Sequence, residues 1–576
     1  MMSANNHILN AAGMTFFSKI FGVNEFALRI PSLLAHGLFL YYSGRLVLKC
    51  RNKWLAVFGF LIINLNPYMI DFFSLARGYG LSIGLMIASI YYLFVFIEKD
   101  GSKKNSTIAM FFAAFAVLAN FVLLNYFVVL FGSIVLLNIY FLKKNTSLSV
   151  KNLLKSIALP VVVILSLFGL IIPIALDLKA AGALYFGGSR GFWADTICTI
   201  IDRSFYEQPY AHYMVQRAVK AFVVLSCFFG FVYVLTNVFK KKDFDKSFLF
   251  LAAIVFLLFL TSLSTIVQFY TLDTLFLTDR TVLFLVVLFN IFLVFLYDQL
   301  LKKEGLTIYI AGVLASIMVL HFAKCLNLIY VLEWKYDANT KEMLSDISVL
   351  KTIPKGKETI SIGIPLIFDP AINFYREKDQ LVWLNSVWRS ETNSPLHDFY
   401  CLSQKDLSEF NRDSIEIIKT YPVTGNILAR PKYPFKEIKT IFVKELNYGN
   451  ESRGHYTVDE NVEYAPGFSY IVNDSITPNK EAVIAFYAEV MAPDLNYDNL
   501  VMVLSFQDSK GELYSWQKAY VKDFIRNETD YFRANFTCVV PAAVKSGDEI
   551  KAYIWNPDKH LLNIRKQEFK WLSYYR

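Results

Sequence analysis

The feature that most constrains this chain is a rhythm of long apolar runs broken by short basic clusters. Ten runs are read, at 28–47, 54–73, 80–97, 107–124, 126–142, 154–176, 218–239, 248–269, 282–297 and 306–322. Each lies near the roughly 20 residues an α-helix needs to cross about 30 Å of hydrocarbon, so the spacing predicts ten membrane crossings. Composition agrees, with 55% hydrophobic and 18% charged residues; a soluble chain has about 45–50% and about 25%.

Orientation follows from the loops, because Lys and Arg are retained on the cytoplasmic side. Lys49/Arg51/Lys53, Lys99/Lys103/Lys104, Lys143/Lys144/Lys151/Lys155, Lys240/Lys241/Lys242/Lys246 and Lys302/Lys303 fall in alternate connections. The intervening loops, at 71–79, 125, 177–217 and 268–280, then face outward with everything after Lys324. Residue 1 is also placed outside. Nothing before residue 28 resembles a signal peptide or a first span, so the expectation is a sequence that begins late and lacks one transmembrane helix. The net charge of +9 is spent in these loops and not on one basic face, which argues against nucleic acid. Six scattered Cys without a CxxC mark neither a disulfide framework nor a zinc site.

Hydropathy falls near Trp334, and Pro, Asn, Asp and Lys become frequent. Residues 1–333 are therefore read as the helical polytopic membrane domain. Residues 334–431 are read as a small α/β layer, with a strand at 361–368 and a helix at 405–410. Residues 432–576 are read as an antiparallel β-sandwich: 531–540 alternates Phe532, Ala534, Phe536, Cys538 and Val540 against polar neighbours. The segments 482–490, 500–506 and 550–555 behave alike, and Asp508-Ser509-Lys510-Gly511 supplies a turn. Outward Trp516, Tyr553 and Trp555 either stack on carbohydrate, or cover the second sheet or dock on the membrane portion.

Polar groups beside the bilayer are costly and mark functional candidates. On the outward face stand Asn5-Asn6-His7, Arg29 before Pro31, Asn66 to Asp71, Ala76-Arg77-Gly78-Tyr79, a loop containing Gly187, Gly188, Arg190, Trp193 and Asp195, and Asp279-Arg280. Such a set suits binding an anionic lipid phosphate and moving its sugar to a hydroxyl. Arg77 and Arg280 would clamp the phosphate with planar forks. Asp71 or Asp195 would take the acceptor proton. Asn5, Asn6, His7, Tyr79, Arg190, Trp193 and Asp279 would contact substrate. The structural alternatives are that Arg29 snorkels to the interface and that Asp279 and Arg280 pair with each other. No metal ligand set is visible around His7; a divalent metal is compatible with the phosphate chemistry but not required.

Asn5 to Asn10, the run Phe21-Gly22-Val23-Asn24-Glu25-Phe26-Ala27-Leu28-Arg29-Ile30-Pro31-Ser32, Ala76 to Tyr79 and Asp279-Arg280-Thr281 resemble signatures of the polytopic GT-C glycosyltransferases. The resemblance is to the family 39, protein O-mannosyltransferase-like and aminoarabinose transferase-like members of Bacteroidetes type, over about residues 1–430. It implies transfer of a sugar from a polyprenyl-phosphate donor to a glycan, lipid or protein acceptor at the outer face of a bacterial inner membrane, with a periplasmic C-terminal region. The family carries an acidic pair in its first outer loop that this sequence lacks; the helix inferred to be absent would bear it. Two other readings stand beside this one: a transporter or flippase of lipid-linked saccharide, and a non-catalytic anchor for a carbohydrate-binding module.

Overall fold

The computed structural model describes residues 7–145, 148–180, 186–240, 244–301, 305–355, 359–384, 397–407, 414–434, 436–449, 454–459, 461–473, 482–493, 497, 499–524 and 530–575. It divides into two compact units, Met1–Trp334 and Lys335–Arg576.

The first unit is helical. Helix α1 (Ile8–Phe21) is too short to span a bilayer, and α2 (Glu25–Val47) follows a cap in which Asn24 Oδ1 accepts from Ala27 N at 2.9 Å. The expected span at 54–73 is broken: α3 (Lys53–Asn64) stops, and α4 (Pro67–Asp71) restarts behind Asn66, whose Oδ1 accepts from Met69 N. Proline at the first helical position has no N–H to satisfy, so Asn66-Pro67 opens a new helix inside an apolar run. After α5 (Gly78–Glu98), the expected span at 107–124 becomes α6 (Lys103–Ala119) and a separate turn capped by Asn120. Helices α7 (Leu124–Asn145) and α8 (Val150–Ala180), the short α9 (Thr199–Ser204), then α10 (Tyr213–Lys240), α11 (Lys246–Leu272), α12 (Leu283–Leu300) and α13 (Leu306–Cys325) complete the bundle.

Among the described residues seven helices, α5, α7, α8 and α10 to α13, are long and apolar enough to cross a membrane. The protein is thus a multi-pass membrane protein. Helices α5 and α12 are buried around nearly their whole circumference and form the centre. Helices α10 and α13 turn side chains such as Phe228 and Leu320 outward, the arrangement of helices at a lipid boundary.

Side-chain bonds sort the loops into two ends of this bundle. At one end the basic loops meet acids. Lys49 pairs with Glu98 at 2.7 Å, Lys246 with Asp100, and Arg51 with Asp245 at 3.2 Å. Asp298, fully buried, accepts from Arg51 N and Ser247 Oγ, both at 2.8 Å. At the other end His7 meets Ala119, Asn125 and Gln268 exchange amide bonds, Gly188 pairs with Phe276, and Tyr206 reaches Asp71.

In the second unit, β1 (Ile362–Gly363) runs parallel to β2 (Phe399–Leu402), followed in the sheet by β4 (Ile427–Pro431) and β3 (Ile415–Thr420). Helices α14 (Thr340–Leu350) and α15 (Asp369–Lys378) share its core through Met343, Ile347 and Ile372. The strand expected at 361–368 is only β1, because Pro365 leads into a 3-10 turn at Leu366–Phe368. Of the helix expected at 405–410, residues 404–407 are helical and 408–410 lie outside the described residues.

The remainder is two packed antiparallel sheets. One has β5 (Glu437–Asn447), β13 (Leu562–Tyr575), β8 (Ala482–Met491) and β11 (Phe532–Val539), with β6 (Tyr456–Val458) beside β13. The other has β7 (Phe468–Ile471), β12 (Glu549–Trp555), β9 (Val501–Gln507) and β10 (Leu513–Tyr520). Phe486, Leu504, Ile550 and Phe569 fill the space between them. Gly511, with φ +85°, closes the turn from β9 to β10 while Asp508 Oδ1 accepts from Lys510 N and Glu512 N. Trp516 and Trp555 meet edge to face at 6.4 Å on the outer side of the second sheet, over a strand whose Val503 is buried.

Replacing Asp298 by Ala strands the Arg51 N–H and leaves a guanidinium without its buried partner. It is expected to destabilise the bundle by roughly 2–3 kcal/mol, read as a lower melting temperature of the detergent-solubilised protein, with Asp298→Asn costing less.

Candidate functional site

The end of the bundle away from the lysine loops gathers the charged candidates. Arg77 is the extended residue that caps α5, and Ser32 Oγ donates to its carbonyl oxygen at 3.1 Å. Gly78 is required there, since a Cβ would collide with the Ala119 carbonyl and with His7. This close approach seats His7 edge-on to Tyr79 at 4.9 Å and lets its Nδ1 reach Ala119 O at 2.8 Å. A carbonyl only accepts, so Nδ1 carries the proton and Nε2 is the acceptor. Nε2 is buried without a hydrogen-bond partner among the described residues. Burial foremost holds the imidazole neutral, down to about 4; Arg77 and Arg280 add to this, against the opposing pull of Ala119.

Arg280 enters from the turn before α12. Its Nε donates to Tyr79 Oη at 3.2 Å, and NH1 pairs with Glu333. Glu333 also accepts from Tyr68 Oη at 2.7 Å. The pair is largely buried, with side-chain exposures of 17% and 8%. The Arg280 guanidinium lies over the Phe186 ring at 4.1 Å, while Arg77 and Arg280 flank the Trp334 ring at 5.3 and 5.5 Å. Residues separated by two hundred positions in sequence thus share one indole. Glu333 and Trp334 were not anticipated from the sequence; the signal was an acid and an aromatic immediately after the last apolar run.

The other candidates are held differently. Asp71 accepts from Tyr206 Oη at 3.0 Å and from Leu332 N at 2.8 Å, and Asn327 donates to the same phenol at 3.0 Å. Asp71 is the last residue of α4, and burial pushes its carboxyl up to about 6 against these donors. It pins the segment 327–332 that presents Glu333. Asp195 is buried and closes its own loop: Arg190 N donates at 2.6 Å, Gly191 N at 3.1 Å and Arg190 Nε at 2.9 Å. Gly188 is needed beside it, because a Cβ would strike its carboxylate. Burial alone would raise this carboxyl, but the backbone N–H groups and the guanidinium bring it below its ordinary value.

Asp279 and Arg280 do not pair with each other. Asp279 takes Arg203 Nε at 3.0 Å and adopts φ +47°. Trp193 is half exposed in the loop closed by Asp195. Asn5 and Asn6 lie outside the described residues. Arg29 is exposed in the second turn of α2.

The fold and the cluster define a multi-pass membrane protein with a cationic, aromatic-walled site at one end of its bundle. No family profile and no curated protein matches the sequence. Among solved structures the chain is similar to ArnT from Cupriavidus metallidurans bound to undecaprenyl phosphate, at 13% identity and TM-score 0.36, over 74% of this chain and 88% of that one. ArnT in the apo state gives 11% identity and TM-score 0.32 over the same shares, 74% and 88%. The archaeal oligosaccharyltransferase AglB from Archaeoglobus fulgidus, in complex with an inhibitory peptide and a dolichol-phosphate, gives 10% and 0.34 over 95% and 87%. Likenesses of this strength carry no functional argument by themselves.

Two outcomes follow from the geometry. Glu333→Ala leaves Arg280 and Tyr68 without their buried acceptor and is expected to cost about 3 kcal/mol in thermal stability, with Glu333→Gln milder. Asp195, depressed below 3.8 in the folded chain, contributes stability that is present above that value and fades as pH falls through its lower folded value. Hydrogen exchange of residues 187–198 should therefore accelerate in acid, and Asp195→Asn should show fast exchange at neutral pH as well.

Proposed function

We propose that this protein is an integral membrane glycosyltransferase. It moves a sugar from a polyprenyl-phosphate donor to a hydroxyl acceptor at the outer face of the inner membrane, with its C-terminal region in the periplasm. The observation that carries this reading is the meeting of Arg77 and Arg280 around Trp334, at the bundle end opposite the lysine loops. Two guanidiniums in a partly dry, aromatic-walled setting suit a lipid phosphate better than a neutral ligand. The positive-inside bias assigns that end to the exterior.

In the reaction the acceptor oxygen bonds to the anomeric carbon and passes its proton to an oxygen of the departing phosphate. The bond from that carbon to the phosphate oxygen breaks, its electron pair leaving on the polyprenyl phosphate. The guanidiniums hold the phosphate and offset the charge that grows on it. His7 Nε2 accepts a hydroxyl hydrogen bond beside them, and phosphate arriving at Arg77 and Arg280 offsets the guanidinium charges that add to burial in holding the imidazole neutral. Tyr79 positions Arg280. Asp71, Asp195 and Asp279 act through the loops they close, and the carbohydrate-stacking role of Trp516, Tyr553 and Trp555 stays a proposal for the outer sheet of the sandwich.

The test uses the full chain in nanodiscs with undecaprenyl phosphate as ligand and lipid-linked sugar as donor. Arg77→Ala and Arg280→Ala should each weaken phosphate binding by about 10- to 100-fold, the worth of one charge-assisted contact. Arg280→Lys should recover only part, because an ammonium lacks the fork. Movement of intact lipid-linked saccharide across the vesicle without sugar transfer would favour the transporter reading instead.

A further inference from the structure

Beside the arginine cluster, and still within the first unit, lies a second feature that the donor reading does not use. It is a cleft of about 450 Å³ whose walls include Thr199, Asp202, Arg203, Glu207, Gln208 and Asp279. Gln216 and Leu332 also line it. Asp279 faces the cleft and the next residue, Arg280, faces the cluster; Leu332 faces the cleft and the next residue, Glu333, pairs with Arg280.

The walls are built, not incidental. Arg203 is fixed by Asp279 at 3.0 Å, Asp202 by Lys220 at 2.7 Å, and Asp279 N donates to Thr199 Oγ1 at 3.1 Å. Tyr206, Glu207 and Asp279 all hold left-handed φ values, +56°, +56° and +47°, without being glycine. Such conformations cost of order 1 kcal/mol or more each and persist where surrounding structure enforces them, often at binding sites. Of these, Glu207 and Asp279 line the cleft, and Tyr206 precedes Glu207 in the chain.

The lining chemistry narrows the ligand. Three carboxylates, Asp202, Glu207 and Asp279, stand against two cations, Arg203 and the Lys220 bonded to Asp202, so the wall is net acidic and a second anion is disfavoured. Carboxylates, a guanidinium and two primary amides offer paired donors and acceptors, which is what vicinal hydroxyls need. Phe205, also in the wall, offers an apolar face. We propose that this cleft is the acceptor subsite and takes a neutral or amine-bearing saccharide, not an anionic one. The assignment rests on the glycosyltransferase reading for the word acceptor; the saccharide class rests on the cleft alone.

Saturation-transfer NMR on the full chain in nanodiscs tests it with three probes: maltotriose, the glucosamine trimer and trigalacturonate. The first two should bind at least ten-fold more tightly than the third. Gln208→Ala and Gln216→Ala should each weaken maltotriose by about ten-fold while undecaprenyl phosphate binding stays at the wild-type level, which also certifies that the variants are folded. Glu207→Gln should narrow the gap between the glucosamine trimer and trigalacturonate. Absent saccharide binding, a preference for trigalacturonate, or maltotriose binding untouched in both glutamine variants each overturns the proposal. If the wild-type chain binds maltotriose in the cleft but never binds undecaprenyl phosphate, the saccharide site stands and the transferase reading falls.

Discussion

Hydrocarbon offers no partner to a charge or to an open backbone group, and that single restriction arranges this bundle. Polar side chains are driven to the two ends, where each end has to satisfy itself. At the lysine end the solution is local neutralisation: Asp298 ties Arg51 and Ser247 together, and Glu98, Asp100 and Asp245 meet the neighbouring cations. At the opposite end Arg190 and Arg203 are likewise paired with acids, but Arg77 and Arg280 sit against rings. These two share Trp334, and among the described residues only Arg280 of the two has a carboxylate bonded to it. A cation held partly by aromatic faces keeps more of its field available to an incoming anion than one locked in a bidentate ion pair.

The Arg280–Glu333 pair has two consequences. Breaking a buried pair by removing one partner is costly, so the pair fastens the segment 326–334 across the mouth of the bundle. Asp71 and Tyr206 reinforce that segment from below through Leu332 N and Asn327. The same carboxylate also competes for the guanidinium that would meet a phosphate. Ligand binding and the position of Glu333 are therefore linked, because both draw on Arg280.

What could be read from the sequence follows what averaging over residues preserves. The bundle was legible because apolar runs announce helices without regard to partners, and the alternation in 531–540 announced β11. The breaks at Asn66-Pro67 and Asn120 were missed because apolar residues continue on both sides, so hydropathy does not register a lost hydrogen-bond ladder. Strand β13 escaped notice for a related reason. Its register shifts at Ile564/Lys566 and at Trp571/Leu572 interrupt the period of two that would have marked it. At the candidate site the arginines stood out as charges beside apolar runs. Their partners did not: Glu333 lies 53 residues from Arg280 and Asp279 lies 76 from Arg203, and no local pattern records such pairs. Asp71 and Asp195 looked like free acids for the same reason, while the structure binds each to backbone N–H groups.

The most informative part of the arrangement is how little chain separates its two chemistries. At 279–280 the chain puts a carboxylate in the cleft wall and a guanidinium in the cluster, and at 332–333 it puts Leu332 in the cleft wall and Glu333 against that guanidinium. A transferase needs a donor phosphate held by cations and an acceptor held by hydroxyl-recognising groups, close enough for one bond to form as another breaks. Two subsites on separate loops would have to be brought to that separation by tertiary motion. On the proposed reading covalent geometry sets that distance, and Asp71, by anchoring Leu332, holds one wall of the cleft and the partner of Arg280 with the same hydrogen bond.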